Sequence, residues 1–167
     1  MNELLKKDLA RVNDDHFRLL VESVRDYAIL TLDREGHITT WNLGAQLITG
    51  YAPEEIIGKH LSQFYPADRV ALDVPAMQLA NALCVGRLED EDWRVRQDGT
   101  RFWANAVITV LSDAAGRHIG FSSVIRDFTE RHITEESLRL REERFRLLLE
   151  GATQWANREL IRRDPSS

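Results

Sequence analysis

The chain has 167 residues, with 43% hydrophobic and 29% charged side chains, enough for one globular core and too apolar for a disordered segment. Its net charge of −5 and pI near 5.6 argue against a dedicated nucleic-acid binder. One cysteine, Cys84, excludes an internal disulfide framework, and no apolar run approaches the length of a membrane span. With no signal peptide in residues 1–12, the expectation is a soluble cytoplasmic protein without membrane insertion.

Residues 2–24 carry Leu5, Leu9, Val12, Leu19 and Leu20 at helical spacing among charges. Such a stripe serves equally as a cap on a core or as a dimer seam. From Tyr27 the period shortens to that of a strand, Asp33-Arg34-Glu35-Gly36 makes a turn, and His37–Trp41 returns, predicting a hairpin over 27–41. Asn42 is placed to cap a short helix over 43–49 that Gly50 ends. Pro53 starts another helical turn, closed by Gly58. Asp68 opens a helix toward Leu83, interrupted or restarted near Pro75, and Gly86 stops it. Residues 87–127 read as a three-stranded antiparallel meander turning at Asp98-Gly99 and at Asp113–Gly116.

Two strands, a block of short helices and three strands give an α+β fold: a five-stranded antiparallel sheet with short helices on one face, flanked by N- and C-terminal amphipathic helices. The crossover of the helical block leaves room for a ligand between sheet and helices. Residues 130–163 lack proline, hold one glycine and are dense in Glu and Arg, which predicts a long helix. Leu138, Phe145 and Ala152 recur every seven residues, as do Leu148 and Trp155, but Arg141 interrupts the second row of this coiled-coil seam.

The motifs Asp26-Tyr27-Ala28-Ile29, Trp41-Asn42, Gly50-Tyr51, Glu54–Lys59, Trp93–Trp103 and Arg126-Asp127-Phe128-Thr129 stand in an order that resembles the PAS family of sensor domains. The stretch from Phe64 to Asn105 is most similar to sensory-box domains of bacterial histidine kinases and diguanylate cyclases. The resemblance implies a domain over 16–129, a cap helix over 1–15 and a signalling helix over 130–163. Residues 142–161 resemble the start of a second PAS repeat, since Phe17–Glu22 recurs as Phe145–Glu150; convergence of two amphipathic helices is the alternative.

No glycine-rich phosphate loop and no metal-ligand spacing appears, so no catalysis is expected. Cys84, between Leu83 and Val85, reads as a small core residue. The flavin branch of the family carries an adduct-forming cysteine where this chain has Leu61, a glutamine at Ile125 and an asparagine at Ala104, so a covalent flavin adduct is not expected. Haem is a remoter expectation: residues 67–84 contain no histidine, leaving His60 as the one candidate iron ligand. The candidate ligand pocket is Trp93, Val95, Phe102, Ala104, Ala106, Ile108, Phe121, Ser123 and Ile125, either open to a small organic molecule or filled by helix side chains. The acidic run Glu89–Asp92 reads as a solvated loop entering the sheet. The resemblance also implies a homodimer through the helical extensions. Asp127 and Thr129 would be the signal exit, handing on to an output domain elsewhere in the parent protein or in a partner signalling protein.

Overall fold

The computed structural model describes residues 14–162, and side chains within that range except those of 156, 157 and 159–162. The expected stripe at Leu5, Leu9 and Val12, and the tail beyond 162, lie outside it. The chain divides into two compact units, Met1–Phe128 and Thr129–Ser167.

In the first unit residues 14–23 are helical (α1). Strands β1 (Ala28–Leu32) and β2 (Ile38–Trp41) form the expected hairpin. Helices α2 (Leu43–Thr49) and α3 (Pro53–Ile56), a 3-10 turn (Leu61–Phe64), α4 (Ala67–Ala71) and α5 (Val74–Val85) follow. Strands β3 (Arg87–Val95), β4 (Arg101–Ser112) and β5 (His118–Asp127) complete one sheet in the order β2-β1-β5-β4-β3, all neighbours antiparallel. The helical block is therefore the crossover between the two edges, as expected for an α+β domain.

Local chemistry explains the boundaries. The Asn42 side chain accepts from the Ala45 amide and starts α2, and Gly50 ends it in the left-handed region at φ 85°. The helix expected from Asp68, with its interruption or restart near Pro75, is two helices, α4 and α5. Asp73 takes φ 57° between them, and Pro75 then sits in the first turn of α5, where its missing N–H costs nothing. The turns Asp33–His37 and Asp113–Arg117 are built alike. In each, one aspartate oxygen accepts the amides two and four residues on, at 2.7–3.0 Å.

The sheet buries Ala28, Leu30, Leu32, Phe102, Ala104, Ala106, Ile108, Phe121 and Ile125 on one face. The crossover supplies Ile56, Leu61, Phe64, Tyr65, Leu79 and Ala82 to the same core. Cys84 is not part of it: α5 buries Pro75, Gln78, Leu79 and Ala82, and Cys84 lies two residues past Ala82 on the exposed side. The second unit is helix α6 (Thr129–Arg162), which leaves Leu138, Phe145, Leu148 and Trp155 exposed.

Candidate functional site

Seven of the nine pocket candidates share the buried face of the sheet: Phe102, Ala104, Ala106 and Ile108 on β4, and Phe121, Ser123 and Ile125 on β5. The register sets them side by side, Ala106 opposite Ile125 and Ile108 opposite Ser123. Trp93 and Val95 are not among them. Arg94 pairs with Phe102 and Asp92 with Ala104, so these face inward, and the intervening Trp93 and Val95 point to the other face. There the Trp93 ring meets Trp103 edge-on, with centroids 5.3 Å apart. The apolar character of Trp93 and Val95 suggested the inner face; the pairing register assigns it to their charged neighbours.

That inner face therefore holds a polar cluster that the apolar pattern did not suggest. Arg94 is 1% exposed, the largest of the fully buried side chains. Its guanidinium lies 3.4 Å from Asp90 and 3.9 Å from Asp92, and stacks 3.9 Å over the Tyr65 ring. The Tyr65 hydroxyl donates to Gln78 Oε1 at 2.5 Å, and the Gln78 amide donates to Asp90 at 2.6 Å. Arg69 on α4 closes the set with two contacts to Asp92 at 3.0 and 3.1 Å. Burial pushes the Tyr65 hydroxyl up to about 12, and the positive charge of Arg94 opposes that rise. Two arginines and two aspartates balance in charge. The signal in the sequence is the spacing: Asp90, Asp92 and Arg94 are alternate residues of one strand, so their opposite charges share one face.

The acidic run is thus part of β3 rather than a loop. Its other half faces outward, where the Asn105 amide donates to both Glu89 and Glu91 at 3.1 and 3.2 Å. His60 is structurally employed. Its Nδ1 accepts the Ser62 amide at 3.2 Å, its ring packs edge-on against His37, and its Nε2 faces Gly36, where a Cβ would come within 2.8 Å. Nδ1 is thus already engaged, and Nε2 lies beside the Gly36 backbone. Leu61, Ala104 and Ile125, at the three flavin-branch positions, are all buried aliphatic groups. Among the described residues no three His, Cys, Asp or Glu side chains gather as a metal site, and no helix is long and apolar enough to cross a membrane.

A second focus lies at the end of β5. Asp127 pairs with Arg96 at 2.5 Å. The same guanidinium donates to the Ile48 carbonyl near the end of α2 and stacks 4.5 Å over the Phe102 ring. Gln97 reinforces the join, its amide donating to the Thr49 carbonyl at 2.9 Å and its side chain to Glu55. Arg96 therefore ties the last residue of the sheet to the first helix of the crossover. Thr129, the other exit residue, begins α6 two positions later. A third feature is a groove of about 510 Å³ on the outer side of the sheet, lined by Phe17 and Val21 of α1 with Ile29, Thr31, Trp41 and Leu111.

A family model described as PAS fold matches residues 15–128. Two-component system protein A of Emericella nidulans is 50% identical over 134 residues, which is 80% of this chain and 19% of that protein. The chain thus spans about a fifth of that curated relative, which is fungal. Among solved structures, the PAS domain of a Colwellia psychrerythraea protein superposes with a TM-score of 0.64 at 20% identity, covering 70% of this chain and 97% of that one. A domain of a sensory box sensor histidine kinase/response regulator from Geobacter sulfurreducens gives 0.58 at 21% identity, covering 69% and 94%.

Proposed function

The chain belongs to the PAS fold family of sensory domains, and we propose that it is the sensor and dimerisation module of a signal-transduction protein, passing a change in its sheet through the β5–α6 junction to an output partner. The observation that carries this is Arg96. It holds Asp127, the last residue of β5, and the end of α2 at once, so a shift in either element reaches the start of α6. Two settings of this junction would give two orientations of the signalling helix. The name of the fungal relative and the histidine-kinase origin of the Geobacter domain support a two-component setting. Leu138 and Leu140, exposed in the first half of α6, and the outer groove support a homodimer.

The test is Asp127→Ala in a fusion of this module to its natural output domain. The Arg96 pair is about a quarter exposed, so losing it costs on the order of 1 kcal/mol, a shift of a few degrees in Tm. The expected result is a folded dimer whose output no longer responds to stimulus. A variant that responds like the wild type overturns the relay.

A second reading is a ligand-free interaction module, favoured by the Arg94 cluster. The space expected to take a small molecule holds Arg94, Tyr65 and Gln78, each with its own partners. Native mass spectrometry separates the two: a retained small molecule contradicts this second reading.

A further inference from the structure

Helix α6 repeats α1. Phe17-Arg18-Leu19-Leu20-Val21-Glu22 returns as Phe145-Arg146-Leu147-Leu148-Leu149-Glu150, with Val21 the only change. The charges repeat in register too. Arg18 stands 3.9 Å from both Asp15 and Glu22, three residues before it and four after. Arg146 has Glu143 and Glu150 at the same offsets.

The first copy shows how such a helix is used. Val21 and Val24 are half-buried while Arg18 is exposed. The carbonyls at its C-terminal end are held by one side chain, because Asn42 Nδ2 donates to Val21, Val24 and Tyr27 at 3.1–3.2 Å. Gly44 comes so close to the Tyr27 and Val24 carbonyls that no Cβ fits there. The helix stops at Ser23.

In α6 the position matching Ser23 is Gly151, the one glycine of that helix. Nothing lies within 4 Å of where its Cβ would stand, so packing in α6 does not require glycine. Inside a helix it costs about 1 kcal/mol against alanine. Phe145, Leu148 and Leu149 are 64%, 66% and 52% exposed, although spacing puts them on one side of the helix.

We propose that residues 142–151 are the lead helix of a second unit of this same fold on the same polypeptide, and that α6 ends at Gly151 once that unit is present. The occupant of the exposed face is then a second five-stranded sheet. Its second strand is followed by an Asn-x-Gly like Asn42-Leu43-Gly44, which clasps the carbonyls of Leu149 and Ala152. The fungal relative has room for it, since the matched region is 19% of its length. Residues 129–141 would leave the first unit and 142–151 enter the second as one continuous rod. The proposal rests on the fold and the repeat alone, so it stands or falls independently of the relay through Asp127.

The experiment extends the chain into its natural downstream coding sequence and compares it with the 167-residue chain. In a Cys84→Ser background, Leu149→Cys and Arg146→Cys are labelled with a maleimide, with Val21→Cys and Arg18→Cys as the reference pair. In the extended protein Leu149→Cys is expected to react more slowly than Arg146→Cys, by the factor that separates Val21→Cys from Arg18→Cys. In the shorter chain the two react alike. Equal labelling in the extended protein, or a natural reading frame that stops after Ser167, overturns the proposal.

Discussion

Arg94 shows how a single residue decides what an interior can hold. A buried guanidinium is tolerated when carboxylates and hydrogen bonds compensate its lost hydration, and here Asp90, Asp92, Gln78 and the Tyr65 ring share that task. Removing the cation leaves the largely buried Asp92 with Arg69 as its remaining cation, while Asp90 keeps only the Gln78 amide and its contact with solvent. Arg94→Met is therefore expected to cost about 3–5 kcal/mol in urea denaturation. A cost below about 1 kcal/mol would mean that water already compensates the charges. Tyr65 gives an independent reading of the same cluster. Its pKa is raised to about 12, so it stabilises the fold below the ordinary tyrosine range near 10, and that contribution disappears as pH rises from about 10 toward 12. Tyr65 should ionise late in a tyrosinate absorbance titration, and Tyr65→Phe should remove that late step. The sequence concealed this cluster because arginine in an alternating strand ordinarily marks the solvent face. Only the one-face spacing of Asp90, Asp92 and Arg94 argues otherwise.

Among the elements, legibility followed the turn chemistry. The hairpins were readable from Asp33–Gly36, Asp98-Gly99 and Asp113–Gly116, because glycine at positive φ and aspartate accepting nearby amides fix where a strand must reverse. The N-terminal half of β3 was not, because four consecutive acidic residues look too hydrated for a sheet. They enter it because both faces supply donors: Asn105 outside, Gln78, Arg69 and Arg94 inside. Trp93 faces outward despite its apolar character, because Asp92 and Arg94 take the inner face on either side of it. Asn42 offers a test at this scale, since it does two separable things. Its oxygen accepts from Ala45 and Ile29, capping α2 and holding β1, while its nitrogen holds the end of α1. Asn42→Asp keeps the acceptor, loses the donor and turns a carboxylate oxygen toward the Val21, Val24 and Tyr27 carbonyls. It is expected to leave α2 intact while amide exchange across residues 14–23 quickens severalfold. Asn42→Ala removes both and should cost ~1–2 kcal/mol from the lost cap alone. Equal protection of α1 in Asn42→Asp and wild type would show that something other than this clasp holds the helix.

Across the first unit as a whole, three hairpin turns share one titratable device, and this sets an acid limit on the sheet. Burial alone would raise Asp33, but the His37 amide and imidazole outweigh it and hold its carboxyl below the usual range. The Thr100 hydroxyl and amide do the same for Asp98, and the Arg117 amide and guanidinium for Asp113. A carboxyl whose folded pKa lies below its unfolded value stabilises the fold above about pH 4, and that contribution disappears as pH falls through the folded pKa. Stability should therefore hold its neutral-pH level down to about pH 4 as far as these three groups are concerned, and fall below it. The triple variant Asp33→Asn, Asp98→Asn, Asp113→Asn keeps a side-chain acceptor at each turn but cannot titrate. Its acid limb, followed by urea midpoints from neutral pH downward, should be shallower than the wild type's. The two ends of the sheet can be told apart as well, since the Asp33 and Asp113 turns are built alike while Asp98 relies on Thr100. Thr100→Ala should shift the acid limb through Asp98 alone, leaving the additional flattening by Asp33→Asn and Asp113→Asn unchanged. An acid limb of the same steepness in the triple variant would place the proton uptake that unfolds this sheet outside its turns.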